Sequence, residues 1–191
     1  GKPARVVTRT EEEEKPFREL QLLTSKPVLY VANVDEPSAA TGNAHSAKVF
    51  ARAAAEGARA VVISAAIEAE IAVIGDPAAQ KEFLDTLGLP EPGLHRVIRE
   101  GYGLLGLLTF FTVGPKEARA WTVHKGASAP EAAGVIHTDF QRGFIKAETI
   151  AYDDYVRLGG ESACRDAGKL RQEGKGYLVQ DGDIFHFKFN V

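Results

Sequence analysis

The sequence contains no methionine, and only one cysteine and one tryptophan among its 191 residues. Lone Cys164 cannot close an internal disulfide and disfavours a thiolate metal site, which fits a reducing, cytoplasmic setting. Its side chain is expected to be small and half-buried. With no methionine and an opening of Gly1-Lys2-Pro3, the chain reads as a fragment or a processed product. Long apolar runs are missing too. The longest, Leu104 to Phe111, is broken by Gly106 and Thr109 and falls short of the ~20 residues of a membrane span. No signal-peptide pattern opens the chain, so no membrane partner is expected.

Neither charge is in strong surplus: the formal net charge is −3. Before Thr109 there are 12 Lys and Arg against 15 Asp and Glu, and from Thr109 onward 11 of each. That balance excludes an obvious DNA binder and leaves only local basic patches. The acids Glu11 to Glu14 read as a solvated helix start or a disordered tail. His45, His95, His124, His137 and His186 are dispersed, without Cys or carboxylate at metal-ligand spacing. A G-x-x-x-x-G-K-[ST] phosphate loop is absent, as is a strand-borne Asp for magnesium before Asn33. Phosphoryl transfer depends on those parts, so this chain alone should hold no catalytic residues and be inactive.

What is present describes a soluble protein of one or two domains, 45% hydrophobic and 26% charged. Residues 1–25 are polar, then weakly amphipathic through Phe17, Leu20, Leu22 and Leu23, as in a helix entering a fold. Val28 to Ala32 is a continuous apolar run suited to a parallel strand covered on both faces. Asn43 to Gly57 has helical composition with Gly57 as its stop, and Arg59 to Ser64 is a second buried strand. Together they make a βαβ unit. Ala65 to Gly106 is helical, broken at Gly75-Asp76-Pro77 and at Leu89 to Gly93. Gly101-x-Gly103-x-x-Gly106 follows helical sequence rather than a strand, which rules it out as a dinucleotide site.

From Leu107 the pattern turns to strands. Two β-rich runs flank Gly114-Pro115-Lys116, and a helix over Ala129 to Ile136 follows. His137-Thr138-Asp139 invites a catalytic reading, but Thr138 and Asp139 more simply cap a turn before Phe140. "GFIKAETI" is strand-like, Asp153 and Asp154 favour a helix start, and Gln180-Asp181-Gly182-Asp183 predicts a closing hairpin. This composition predicts a mixed sheet with helices on one face, an α+β domain of β-grasp type.

The chemistry concentrates after the first buried strand. Ligands of open parallel sheets bind beyond the carboxyl ends of the strands, and Asn33-Val34-Asp35-Glu36 lies there. Its Asn-x-x-acid spacing parallels the Asn-Lys-x-Asp loop with which GTPases read guanine. The next strand ends in Ser64-Ala65-Ala66, where such proteins carry Ser-Ala-Lys. A strand running into a solvated loop is the plainer alternative; Asp35 either fits that description or is the base-reading acid in a slipped register.

"KPVLYVANVDE", "SAAIEAEI", "LLTFFTVGPKEARAWTV", "GVIHTDFQRGFIKAETIAYDDY" and "GYLVQDGDIFHFKFNV" together resemble the C-terminal half of the Obg-like ATPases, the YchF subfamily of translation-factor-class P-loop proteins. The resemblance runs from about Leu20 to Val191. It implies an α/β fold over residues 26–106, the C-terminal part of a P-loop NTPase parallel sheet with its helices. Residues 107–191 would form an α+β TGS domain of β-grasp type, and residues 1–25 the exit of a helical insertion. It also implies a nucleotide-binding, ribosome-associated hydrolase that prefers ATP, with GTP weaker, and takes Mg2+ through residues outside this chain. Val34 and Glu36 depart from Asn-Lys-x-Asp. A glutamate overshoots the place where guanine presents two donors, and loss of such a bidentate contact shifts discrimination by about 1–3 kcal/mol. By carry-over, Asn33 meets the adenine edge, Val34 lines the pocket partly through its backbone, and Ser64 and Ala65 close it.

The resemblance further implies a ribosome- or RNA-facing surface on the TGS part, where Lys116, Arg119, Lys125, Arg142, Lys146 and Arg157 interleave with Trp121, Phe140 and Phe144. Ordinary strand packing also explains those aromatics. The competing assignment is a non-catalytic module that docks to ribosome, RNA or protein through this domain.

Overall fold

A computed structural model describes residues 1–190, and the chain divides into two compact units that meet in sequence between Leu105 and Gly106. In the first, helix α1 (Glu11–Glu19) begins with the four successive acids. A capping box closes its start, with the Glu13 carboxylate accepting the Thr10 N–H at 2.9 Å. The acids are therefore a solvated helix start. Strand β1 (Leu29–Asn33), helix α2 (Ala44–Glu56) and strand β2 (Arg59–Ile63) follow. The strands pair in parallel with Asn33 beside Ile63.

Asn43 sets the start of α2: its Oδ1 accepts the N–H groups of His45 and Ser46, both at 3.0 Å. Gly57 ends the helix with φ at 64°, a left-handed conformation that side chains resist. Helices α3 (Ala65–Val73), α4 (Pro77–Thr86) and α5 (Gly93–Leu105) come next, separated at the two breaks that glycine and proline mark in the sequence. Ile67, Ile71, Leu84, Leu89 and the loop residue Ala39 form a buried cluster. Coverage of β1 on both faces is incomplete, since Val31 stays 44% exposed. Among the described residues β1 has β2 as its one neighbour, so a run composed for a wider sheet keeps accessible surface.

The second unit is built on strands β3 (Leu107–Val113), β4 (Ala118–His124), β5 (Phe144–Ala151), β6 (Arg171–Glu173) and β7 (Asp183–Phe189), in the spatial order β4-β3-β7-β5-β6. β3 and β7 run parallel and the other neighbours antiparallel. Helices α6 (Ala129–Ile136) and α7 (Thr138–Arg142) lie between β4 and β5 in sequence, and α8 (Tyr152–Leu158) and α9 (Glu161–Asp166) between β5 and β6. Phe110, Phe144, Phe185 and Phe187 pack with Ala129, Ala132 and Ala133 of α6 in one core. Alanines on α6 let the helix approach a sheet face already filled by four phenylalanines. The fold is a β-grasp.

Three local expectations change. The closing hairpin does not form: the segment before β7 touches another strand-like residue through a single Ser128–Leu178 bridge. Its backbone is engaged elsewhere, for Val179 N–H donates to Ala127 O at 3.0 Å and Tyr177 O accepts from Ala129 N–H at 2.9 Å. The turn at α7 is capped by the ring of His137, whose Nδ1 accepts the Asp139 N–H at 3.1 Å, rather than by Thr138 and Asp139. Cys164 is fully buried, and its thiol donates to Asp154 O at 3.5 Å.

Candidate nucleotide-base site

The parallel register brings the loops after β1 and β2 out side by side. Asn33 is the last residue of β1, and Ser64 directly follows its strand partner Ile63. The Asn33 Oδ1 accepts the Ala65 N–H at 2.9 Å, so the amide ties the two loops together. Ala65 opens α3, and its N–H is one of the four that a helix start leaves without an internal acceptor. With its oxygen occupied, the Asn33 side chain keeps two Nδ2 donors, and the residue is exposed.

Val34 extends the ladder one residue past β1, its N–H donating to Ile63 O at 2.9 Å. That donor is spent inside the sheet, which leaves the isopropyl group and the carbonyl. Asp35 and Glu36 begin a single 3-10 turn over Glu36–Ser38, with Pro37 in its first positions and Asp35 O accepting from Ser38 N–H at 3.1 Å. Both carboxylates are exposed. The loop is anchored three residues on, where Ala39 enters the core. Ser64 is only 2% exposed, and its Oγ has no hydrogen-bond partner. Asn33, Val34, Glu36, Ser64 and Ala65 thus gather at one end of the parallel pair. A cavity of about 500 Å³ in this unit is lined by none of these five.

Glu68 on α3 was not singled out in the sequence. Its carboxylate accepts the N–H groups of Gly93 at 2.7 Å and Leu94 at 3.0 Å. It thereby fixes the start of α5 against the helix that carries Ala65. Its partner is 25 residues away, so no local pattern signals the bond. Glu56 is similarly hidden in the sequence: the Tyr30 hydroxyl donates to it at 2.7 Å, and that bond, with Arg52 beside it, holds its carboxyl below the usual range.

The cations and aromatics of the second unit do not assemble into one face. Phe144 is buried, and Phe140 stacks on Phe189 with ring centroids 3.9 Å apart. Arg157 pairs with Asp154, Arg142 lies 3.7 Å from Asp139, and Lys146 Nζ donates to Gln172 Oε1 at 2.9 Å. Arg119 and Trp121 do come together, with the guanidinium 4.1 Å from the ring centroid. They border an open cavity of about 650 Å³ that Lys116 and His186 also line.

Residues 107–190 match the YchF-GTPase_C family, described as a protein of unknown function (DUF933). Over all of its length the chain is 54% identical to a Bacillus subtilis protein named ribosome-binding ATPase YchF, of which it covers 52%. The chain belongs to the YchF family. The Escherichia coli O157:H7 protein of the same name is 51% identical over 94% of this chain and 49% of its own length. The structure of the Schizosaccharomyces pombe YchF GTPase superposes with a TM-score of 0.81 at 35% identity, over 98% of this chain and 50% of that one. A GTP-binding protein from Pyrococcus horikoshii OT3 shares the fold at a TM-score of 0.60 and 19% identity, over 95% of this chain and 51% of that one. The chain spans about half the length of the curated relatives it matches. No described helix is long and apolar enough to cross a membrane.

Proposed function

We propose that this chain supplies the base-recognition half of an ATP-preferring P-loop NTPase that works at the ribosome in the cytoplasm, together with a TGS domain. The observation that carries the base assignment is the 2.9 Å bond from Ala65 N–H to Asn33 Oδ1. It commits the amide oxygen to the protein and leaves the Nδ2 donors for a purine acceptor, while Val34 offers an aliphatic surface to the base. Exposed Ala65 forms the opposite wall, with Ser64 buried directly before it. Glu36 sits on an exposed turn, and its extra methylene, relative to the aspartate of guanine readers, is what carries its carboxylate past the place of guanine's paired donors. GTP is therefore accepted, but more weakly than ATP.

Residues 26–106 are assigned to the nucleotide-binding domain, residues 107–191 to the TGS domain, and residues 1–25 to the exit of a helical insertion. Among the described residues no three His, Cys, Asp or Glu side chains gather as metal donors. Mg2+ and the phosphates are assigned to the remainder of the protein, and the isolated chain is expected to hydrolyse nothing. Ribosome contact is assigned to the second unit; the Bacillus subtilis and Haemophilus influenzae relatives are named ribosome-binding ATPases.

Titration of the intact protein with ATP and GTP tests the base assignment. ATP is expected to bind more tightly, and Glu36→Asp should move the ratio toward GTP by at least about fivefold. A wild-type preference for GTP, or an unchanged ratio in E36D, would overturn it.

A further inference from the structure

The cavity of about 500 Å³ in the first unit lies along the free edge of β2. Arg59 N–H donates to Val28 O, and Ile63 O accepts from Val34 N–H. Residues 59 and 63 therefore turn their backbone groups toward β1, and the alternate residues Ala60 and Val62 turn theirs outward. No described strand pairs with that side, and both residues line the cavity. The flanking helices occupy opposite faces. A Cβ on Gly42, beside the start of α2, would meet the Val62 side chain, and one on Gly93, at the start of α5, the Ile63 side chain. Successive strand residues point to opposite faces, so a cavity touching both helices must wrap the edge between them.

The two walls differ in chemistry. The α2 wall offers Ala47 and Phe50, the latter 42% exposed. The α5 wall offers Arg96, Arg99 and Glu100. Arg99 is held by both oxygens of Glu91, and Glu100 by Arg59. Arg96 makes no hydrogen bond or ion pair among the described residues, although Glu91 lies within its electrostatic reach, and its Nε is buried without an acceptor. An unmet buried donor of this kind is costly and calls for a counter-group.

We infer that the outer edge of β2 is a docking slot for an extended peptide of alternating apolar and acidic residues. The peptide adds a strand to the sheet. Its backbone bonds Ala60 and Val62, its apolar side chains face Phe50, and a carboxylate on the alternate face meets Arg96. Main-chain bonds supply affinity, and the two walls supply register and selectivity. A second copy of this chain does not fit, because β2 itself would bring Arg59, not an acid, to the Arg96 wall. The inference is independent of the base-site assignment.

The test uses the intact protein and fluorescent, end-blocked hexapeptides in which valine alternates with glutamate, or with glutamine in the control. Binding is followed by polarisation, and amide exchange at Ala60 and Val62 by NMR. The glutamate peptide should slow exchange at both amides and bind at least about tenfold more tightly than the glutamine peptide. Arg96→Gln should abolish that difference while leaving the glutamine peptide's affinity unchanged. Ala60→Pro removes an outward N–H at an edge position where proline is tolerated, and should weaken both peptides. Equal affinity for the two peptides, no protection of Ala60 and Val62, or a dimer that A60P dissociates would each overturn the inference.

Discussion

The bond between Asn33 and Ala65 allows the structural role of one side chain to be separated from the base reading proposed for it. Asn33→Ala removes the acceptor and the Nδ2 donors together. The bond is 2.9 Å long between exposed residues, so water can replace part of it and its net contribution is about 0.5–1.5 kcal/mol. In a unit of this size about 1 kcal/mol corresponds to roughly 4 °C in Tm. Asn33→Asp keeps an oxygen facing the Ala65 N–H, so thermal stability should stay near wild type. It replaces the outward amide by a charge that cannot donate and that faces the ring-nitrogen acceptor of adenine. Loss of that contact should weaken ATP by about 1–3 kcal/mol, or roughly 5- to 150-fold. Differential scanning fluorimetry without nucleotide and calorimetric titration with ATP measure the two quantities. An N33D protein that binds ATP within about twofold of wild type would refute base reading by the amide. An N33A protein with unchanged Tm would refute the bracing role.

Two further predictions concern the β-grasp unit. Thr149 is fully buried and its Oγ1 has no partner; Thr149→Val keeps the shape, removes the unmet hydroxyl, and should raise stability by about 1 kcal/mol in urea unfolding. Tyr177 is pushed up to about 12 by burial and by its hydrogen bond to the Asp183 carboxylate, which burial also pushes up. The folded unit then holds the phenolic proton more tightly than the unfolded chain, whose tyrosines titrate near 10. Stability is present below about pH 10 and is lost as pH rises from there to about 12. Denaturant midpoints across that window should fall in wild type and less steeply in Tyr177→Phe; equal slopes would contradict the assignment.

Much of the first unit is legible in its sequence because local chemistry decides it. An apolar β-branched run, an alanine-rich helix capped by Asn43, and Gly57 at a left-handed stop leave little room for another arrangement. The adjacency of Asn33 and Ser64-Ala65 also follows from spacing once the strands are taken as parallel. What spacing cannot give is the use of each backbone donor: Val34 N–H is consumed by Ile63 and Ala65 N–H by Asn33. The closing hairpin misleads for the opposite reason. Asp181-Gly182 is a sound turn signal, yet the segment before it is held by the loop ahead of α6, about 50 residues earlier in the chain. Interleaved cations and aromatics suggest one surface only if sequence order mapped onto a face. Instead Phe144 enters the core, and Lys146 stands opposite Lys188 across the strand pair.

The position of β7 has a consequence for the order in which this domain is made. It comes last of the five strands in sequence, yet it lies in the middle of the sheet, between β3 and β5. It brings Phe185 and Phe187 into the core. Until residues 183–189 have left the ribosome, β3 with β4 and β5 with β6 are separate antiparallel pairs that share no strand, and the phenylalanines of β3 and β5 have nothing between them. Pairing β3 with β7 must close a loop of about 70 residues, which makes folding late and slow rather than progressive along the chain. A ribosome-stalled chain ending before Asp183 would carry an open apolar sheet face, and protease resistance of this unit should arise in a single step once Phe189 is exposed.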